Sequence, residues 1–169
     1  HAFLEHADFA SLAAAKAAGT LEEAILAERQ RQVDTRLVAP EIAEKLNAGR
    51  IRRFAESEAF AKICAAEKVL RELAFITALP ASAVLTAQGA AVQDEQVLVQ
   101  GIADLVLVFP DHLELLDYKT DRRKTEADFL SAYRPQLNLY ALAIDKRFAP
   151  KKVTYKGIYS LELGRLIEA

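Results

Sequence analysis

The amino-acid sequence predicts a single α/β domain built around a mixed β-sheet. Its first half is rich in alanine, the strongest helix former, whereas runs of β-branched and aliphatic residues begin near residue 69. The order of helices, a strand meander, a long helix and a closing strand is typical of an α/β fold. A length of 169 residues suits one domain with a sizeable core and is too short for two full ones.

Helical signals dominate the first part of the chain. A capping box at Thr20 and Glu23 predicts a helix over residues 20–33. A short helix is predicted over residues 40–49, because proline stands at its first position and glycine at its end. Phenylalanine and isoleucine at helical spacing predict a third helix over residues 51–67.

The rest of the sequence alternates between strand and turn signals, with one long helix. The predicted elements are, in order, a strand at 69–77, a turn at Leu79-Pro80, a strand at 83–87, a strand at 97–109, a turn at Pro110-Asp111, a strand at 113–120, a helix at 126–148 that is interrupted or restarted at Pro135, and a strand at 152–161. The sequence shows no internal repeat or linker, which again favours one domain.

Cysteine content and hydropathy exclude several classes of protein. The one cysteine, Cys64, excludes a disulfide framework, a cysteine-based zinc site and a four-cysteine iron–sulfur cluster within the chain. The sequence has no run of about 18 apolar residues, so it predicts no membrane span. It shows no signal-peptide pattern and opens at His1 without a methionine, so we expect a cytoplasmic fragment of a longer protein.

The net charge of −2 conceals an uneven distribution. Residues 119–156 contain ten Lys or Arg and four Asp or Glu, a local charge of +6, while the rest of the chain carries −8. Such a chain can present a basic face to phosphate although its mean charge stays near neutral. Nucleic acid is therefore a candidate partner.

Three chemistry-bearing residues lie in the predicted hairpin. The two-residue turn at Pro110-Asp111 sets a register in which Asp104 lies opposite Asp117. Directly opposed residues point to the same side of the sheet, with Cβ atoms roughly 5 Å apart. Lys119 lies two residues after Asp117 and shares its face. Two carboxylates and a lysine are therefore expected to converge on a mostly apolar face.

This convergence predicts metal-assisted phosphodiester hydrolysis. Two adjacent carboxylates repel each other unless a cation lies between them, and Mg²⁺ takes oxygen ligands while keeping water and phosphate in its shell. Lys119 beside it could orient or help deprotonate an attacking water, or stabilise the charge that develops on the phosphate. In the alternative interpretation, Asp104 is a strand-edge residue, and Asp117 and Lys119 form a solvated pair.

Several segments of the sequence resemble one known family. QGIADLVLVF, LELLDYKTD and YRPQLNLYALA resemble the RecB-family nuclease domain of the PD-(D/E)XK superfamily, and within it the C-terminal nuclease domain of AddA-type helicase–nucleases. LRELAFI resembles the R-E-x-P-F strand of that family with Ala74 in place of proline, HAFLEHADF its first helix and KGIYSLELGRLIEA its closing strand. The resemblance implies a restriction-endonuclease-like core over residues 1–169, in which helices flank a mixed central sheet and an N-terminal helical portion precedes it.

The resemblance also implies the metal ligands. Asp104 and Asp117 would be the acidic ligands, with His1 as the third metal-binding side chain. The backbone carbonyl of Tyr118 would be a further ligand, and Lys119 would be the catalytic lysine. Ala103 stands before the first aspartate, where the superfamily name implies proline, as is common in RecB-like members.

Further residues follow from the same likeness. Gln136 and Tyr140 match the Gln and Tyr of the family's next helix, share one face at i, i+4 spacing, and would belong to the catalytic set. Tyr133, one turn earlier, would support the site or touch the DNA strand. His6 is the alternative to His1 as a ligand, although its i+5 spacing places it on another helical face. Glu72 has no firm role.

A basic cluster follows the predicted hairpin. Arg122, Arg123 and Lys124 come directly after the catalytic segment and are candidate contacts to the DNA backbone. A solvated loop is the alternative interpretation of such a charge run.

Taken together, the resemblance implies a divalent-metal-dependent DNA exonuclease domain. It would hydrolyse single strands delivered by a helicase during double-strand-break repair and recombination. Mg²⁺ is the expected cofactor, with Mn²⁺ able to substitute, and no iron–sulfur cluster is expected. The expected partners are DNA, a helicase domain upstream in the same polypeptide and an AddB-type second subunit, with no membrane. The alternatives are a free-standing RecB-like nuclease and a nuclease-fold module that binds DNA or another subunit without cutting.

Overall fold

A helical layer, a five-stranded sheet and one long helix make up the fold, in a computed structural model that describes residues 1–84 and 95–169. The N-terminal layer comprises helices α1 (Ala2–His6), α2 (Phe9–Ala18), α3 (Leu21–Asp34), α4 (Pro40–Glu44), α5 (Ala48–Ala55) and α6 (Glu58–Ala65). The elements that follow are β1 (Lys68–Pro80), α7 (Ala81–Val84), β2 (Gln96–Val108), β3 (Leu113–Lys119), α8 (Glu126–Arg147), β4 (Val153–Ser160) and β5 (Arg165–Glu168).

The sheet is mixed, as the sequence predicts. Its strand order is β1-β2-β3-β4-β5, and every neighbouring pair is antiparallel except β3 and β4, which are parallel. Parallel neighbours need a crossover connection, and α8 provides it. The predicted α/β architecture with an N-terminal helical portion is therefore confirmed.

Two hydrophobic clusters cover the two faces of the sheet. One joins α1, α2, α3, α5 and α6 to the strands and contains Leu105, Leu116 and Tyr118. The other joins α8 to the strands and contains Leu115 and Phe129. Adjacent residues of β3 thus pack into opposite clusters, as the two-residue repeat of a buried strand requires. The long hairpin is therefore held from both sides.

Alternation in β2 is interrupted at one point. Val99, Ala103 and Val106 pack into the same cluster, although Val106 lies three residues after Ala103 and strict alternation would place it on the other face of the sheet. Leu98 and Ile102, which the sequence pattern groups with Val106 on one face, are instead 66% and 53% exposed. The alternating sequence pattern predicts one continuous face from Leu98 to Val108, and this prediction is wrong for the first half of the strand, because the side-chain alternation changes phase between Ala103 and Val106.

Several predicted helix ends are wrong. Thr20 precedes α3, but its side chain forms no capping hydrogen bond, so the predicted capping box is absent. Gly49 lies inside α5 rather than at the end of α4, because the Asn47 side chain accepts a hydrogen bond from Arg50 N and starts a new helix there. The predicted helix over residues 51–67 is split at Ser57, whose hydroxyl donates to Phe54 O at 2.6 Å and caps α6.

The strand predictions also need correction in places. β1 continues through Leu79-Pro80, where the sequence predicts a turn, and pairs with β2 from Lys68 to Pro80 except at Glu72. The strand predicted at 83–87 begins in helix α7, and its last three positions lie outside the described residues. The closing segment is a hairpin of β4 and β5, and its turn ends at Gly164 with a φ of +69°. Helix α8 runs unbroken through Pro135.

Within the described residues, no helix is long and apolar enough to cross a membrane.

Candidate metal centre and active site

The β2–β3 hairpin has the register that its two-residue turn predicts. Phe109 N donates to His112 O at 3.0 Å, and the ladder continues to the pair Leu105 and Leu116. The next position in this register brings Asp104 opposite Asp117, and the backbone pairing stops there. Asp104 Oδ2 instead accepts a hydrogen bond from Tyr118 N at 2.8 Å. The carboxylates therefore lie where the ladder opens.

Glu72 occupies the corresponding position on the other side of β2. The β1–β2 ladder pairs Arg71 with Leu105 and Leu73 with Ala103, and it omits Glu72 between them. Glu72 has a φ of +45°, a left-handed conformation that is strained for a residue other than glycine. Backbone strain of this kind concentrates at functional sites. Because Glu72 leaves the ladder, its side chain is available to the site rather than to the sheet surface.

His1 brings the helical layer to these carboxylates. Its carbonyl accepts hydrogen bonds from the first turn of α1, and its Nε2 lies 3.2 Å from Glu72 Oε1 and 3.7 Å from Asp104 Oδ2. His1, Glu72 and Asp104 each offer one ligand atom, and these three atoms lie within 4.8 Å of one another. Two ligands of one ion at about 2.1 Å lie at most about 4.2 Å apart, and both measured separations from His1 meet that limit.

The electrostatics of the carboxylates also fit a cation. Partial burial raises the pKa of Glu72, and the nearby charge of Asp104 raises it further. Burial likewise raises the pKa of Asp117, again with a contribution from Asp104. Asp117 Oδ2 is buried and accepts no hydrogen bond from the described residues. Carboxylates that are partly or fully withdrawn from water and repel one another form the kind of donor set that holds a hard divalent ion.

Lys119 pairs with Asp117 rather than with solvent. Its Nζ lies 2.6 Å from Asp117 Oδ2, in an ion pair whose angles differ from those of a hydrogen bond, and 4.5 Å from the centre of the Tyr133 ring. Burial would lower the pKa of Lys119, but the interaction with Asp117 outweighs it and the pKa is raised. The lysine is therefore a positively charged group held in a fixed place between a carboxylate and an aromatic face.

The basic segment after β3 divides into two parts. Arg122 and Arg123 are exposed, and neither forms an ion pair with the described residues. Lys124 lies 2.7 Å from Asp121, and the Tyr133 hydroxyl donates to the same carboxylate at 2.9 Å. Lys124 is therefore partly neutralised within the protein, whereas the two arginines are available to a ligand.

Gln136 and Tyr140 are close to each other on α8. Gln136 Nε2 donates to the Tyr140 hydroxyl at 3.1 Å, and the Tyr140 ring meets Phe75 of β1 edge to face at 4.9 Å. A Cβ atom on Gly101 would lie 2.8 Å from both rings. Tyr140, with Gln136 bonded to it, therefore packs on strands β1 and β2 near Gly101, three residues before Asp104.

The structure brings some predicted residues together and separates others. His1, rather than His6, joins the group, and His6 Nε2 instead lies 3.6 Å from Glu5 Oε1. Asp117 is not one of the three close ligands, since its Oδ2 contacts Lys119. Sequence reasoning left Glu72 without a role, although an acidic residue inside the apolar run VLRELAFI was a usable signal.

Comparison with known proteins identifies the family. A family model described as the PD-(D/E)XK nuclease superfamily matches residues 1–165. The chain is 37% identical over 149 residues to the AddA-type ATP-dependent helicase/nuclease of Ligilactobacillus salivarius, covering 88% of the chain and 12% of that protein. It is 33% identical over 175 residues to the protein of the same name from Heliobacterium modesticaldum, covering 98% of the chain and 12% of the relative.

A third relative, the AddA-type ATP-dependent helicase/nuclease of Clostridium acetobutylicum, is 29% identical over 170 residues, which cover 99% of the chain and 13% of that protein. The chain thus spans about one eighth of the length of these relatives. The family match extends over both the helical layer and the sheet, and it includes the segments that carry His1, Glu72, Asp104 and Lys119. The chain belongs to the PD-(D/E)XK nuclease superfamily.

Proposed function

We propose that this chain is a DNA nuclease domain that hydrolyses phosphodiester bonds with the help of a divalent metal ion. The observation that carries the proposal is the meeting of His1, Glu72 and Asp104 beside the ion pair of Asp117 and Lys119. Membership of a nuclease superfamily supports the same chemistry.

The ion would be held by the His1 ring, Glu72 and Asp104, with Asp117 and the Tyr118 carbonyl as further ligands. When bound, a divalent ion supplies Lewis-acid polarisation of the phosphate and lowers the pKa of a coordinated water. Carboxylate, carbonyl and water ligands suit Mg²⁺ and Mn²⁺. Mg²⁺ is therefore the proposed physiological ion and Mn²⁺ its substitute.

Lys119 would act as a fixed positive charge. Its raised pKa keeps the ammonium protonated, which favours charge stabilisation over removal of a proton from water. Negative charge builds up on the phosphate oxygens as the phosphodiester is attacked, and a preorganised cation stabilises that charge. Asp117 and the Tyr133 ring hold the ammonium in place and limit its reorganisation.

Residues outside the centre would position the strand. Arg122 and Arg123 are exposed next to the end of β3 and would contact backbone phosphates, with Lys124 contributing less because Asp121 already pairs with it. Gln136 and Tyr140 would act through the hairpin that carries Asp104.

The biological setting is proposed from the relatives. Their names describe ATP-dependent helicase/nucleases, and they are about eight times longer than the chain. We infer that residues 1–169 form one nuclease domain of such a polypeptide, with a helicase domain upstream and an AddB-type second subunit. An exonuclease that degrades strands unwound by the helicase during break repair fits this arrangement.

Two alternatives remain distinct from this proposal. A free-standing RecB-like nuclease would have the same chemistry without a motor. A module that binds DNA or another protein without cutting would have no need to place Glu72 and Asp104 beside a histidine and a buried Asp117, and the desolvation of Glu72 and Asp117 weighs against it.

The test is cleavage of end-labelled single-stranded DNA by the 169-residue chain in Mg²⁺, in Mn²⁺ and in EDTA. We expect cleavage in either metal and none in EDTA. Lys119→Ala should lower the rate about 100- to 1,000-fold, as loss of one preorganised charge-stabilising group does in other enzymes. Asp104→Asn should abolish both cleavage and Mn²⁺ binding measured by calorimetry.

Lys68→Ala is the matched control for Lys119→Ala, because Lys68 lies on the exposed start of β1 and should leave the rate unchanged. Cleavage that survives both Lys119→Ala and Asp104→Asn would contradict the assignment of these residues to the active site. Metal-independent binding of DNA without cleavage by the wild-type chain would favour the non-catalytic module.

A further inference from the structure

A cavity of about 230 Å³ opens directly beside His1. It lies between α3, α4 and α5 and reaches Thr120 at the end of β3. Its inner wall is apolar and includes Phe3, Val38 and Leu46, with Ile42 near the mouth at 54% exposure. The cavity and the candidate metal centre therefore share a wall, and a ligand held in one would reach the other.

Three cations line the same cavity. Arg29 comes from α3, Lys45 follows α4, and Arg50 lies in α5. Arg50 pairs with Glu162, whereas Arg29 and Lys45 form no ion pair within residues 1–84 and 95–169. The cavity therefore combines an apolar wall with positive charge that the described part of the protein does not neutralise.

The dimensions restrict what can enter. Cavities that hold a complete drug-sized ligand measure about 300–1,000 Å³, so one of 230 Å³ suits a single flat group. A nucleotide unit combines such a group, the base, with a phosphate that carries negative charge. The apolar wall would bury the face of a base, and Arg29 and Lys45 would bind the adjoining phosphate.

We propose that this cavity is a subsite for one nucleotide of the single-stranded substrate, the unit next to the phosphate held at His1, Glu72 and Asp104. The base lies against Ile42 and its apolar neighbours, and the phosphate lies at Arg29 and Lys45. The subsite rests on the proposed nuclease function for the identity of its ligand. It gives the strand a second point of attachment, on the side of the centre that the helical layer forms.

The first test is the salt dependence of single-strand binding, measured by fluorescence anisotropy of a labelled oligothymidylate in EDTA. Each phosphate contact contributes about 0.7 to the slope of log K against log salt concentration for single strands. Because both side chains contact the same phosphate, Arg29→Ala and Lys45→Ala should each reduce the slope by part of that amount, and the double variant by about all of it. Lys68→Ala removes an exposed lysine that does not line the cavity, and it should leave the slope unchanged. Equal slopes in all of these proteins would overturn the proposal.

The second test isolates the base. Ile42→Ala removes an apolar side chain that is already half exposed, so the fold should be retained. We expect it to weaken binding of the base-bearing strand about three- to tenfold, from the apolar area lost, and to leave binding of an abasic strand of equal length unchanged. Equal effects on both strands would show that no base enters the cavity.

Cleavage assays separate failure of the subsite from failure of the proposed function. In Mg²⁺ the Lys45→Ala variant should raise KM and leave kcat near the wild-type value, because its side chain is not part of the metal centre. Binding with the expected slopes but no cleavage would refute the nuclease function and retain the subsite. Cleavage with no effect of these variants on binding or KM, or no single-strand binding at all, would refute the subsite.

Discussion

Replacing Gln32 by leucine should loosen α1, the helix that follows His1. Gln32 is 1% exposed, and its Nε2 donates to Phe3 O at 3.0 Å and to Glu28 Oε1 at 2.8 Å. Leucine occupies a similar volume but cannot donate a hydrogen bond. Both acceptors would therefore lose a buried partner while the packing volume stays nearly constant.

The size of the effect follows from these two bonds. A neutral hydrogen bond contributes about 0.5–1.5 kcal/mol and one to a charged group about 1.5–3 kcal/mol. Glu28 Oε1 keeps Arg31 at 2.6 Å and Asp8 N at 3.2 Å, so the loss at Glu28 lies at the low end. We expect the free energy of unfolding to fall by about 2–3 kcal/mol, which corresponds to about 4–12 °C in Tm for a chain of this length.

Urea denaturation followed by far-ultraviolet circular dichroism measures this change. Gln30→Leu is the control, because Gln30 lies on the same helix, is exposed and donates to Asp34 at 2.8 Å. Its free energy of unfolding should change by less than about 0.5 kcal/mol. If the two variants have the same denaturation midpoint, the buried bonds of Gln32 contribute nothing to holding α1, and the reasoning fails. If Gln32→Leu lowers the stability and Gln30→Leu does not, the Gln32→Leu variant should also bind Mn²⁺ more weakly, because His1 precedes α1.

Two further predictions concern acid stability and packing. Burial raises the pKa of Glu28, but the hydrogen bonds led by Arg31 outweigh it and hold the pKa below 4.5. The resulting stabilisation is therefore present above pH 4.5 and is lost as the pH falls through the lower pKa of the folded protein. Glu28→Gln should flatten the acid side of a plot of urea stability against pH, and an unchanged acid side would contradict this. Gly101→Ala would place a Cβ 2.8 Å from Phe75 and Tyr140. It should lower the free energy of unfolding by about 1–3 kcal/mol, measured as a shift of the urea midpoint. An unshifted midpoint would mean that the two rings move aside without cost.

The hairpin could be predicted because its signals are local. The turn at Pro110-Asp111 lies directly between two runs of strand-forming residues, and it sets the register that the structure has up to Leu105 and Leu116. Asp104 and Asp117 follow from that register alone. The lysine on the same face needed no tertiary information either.

Helix boundaries were predicted less well because polar side chains compete for backbone groups. Ser57 could continue a helix or cap one, and the structure has the cap. Thr20 carries a capping-box pattern without the hydrogen bond, whereas Thr125 and Asp128 form one at the start of α8. The outcome depends on how each chain segment enters its helix, which the packing of the layers decides.

The sequence by itself determined the fold class, the hairpin register and the residues Asp104, Asp117 and Lys119, because each depends on patterns only a few residues long. Only the tertiary structure decided which residues join them in the candidate centre. His1 meets Glu72 across 71 positions of the chain, and Glu72 reaches the site because it leaves the β1–β2 ladder with a positive φ. Contacts of that separation form when the helical layer packs on the sheet, and no local pattern encodes that packing.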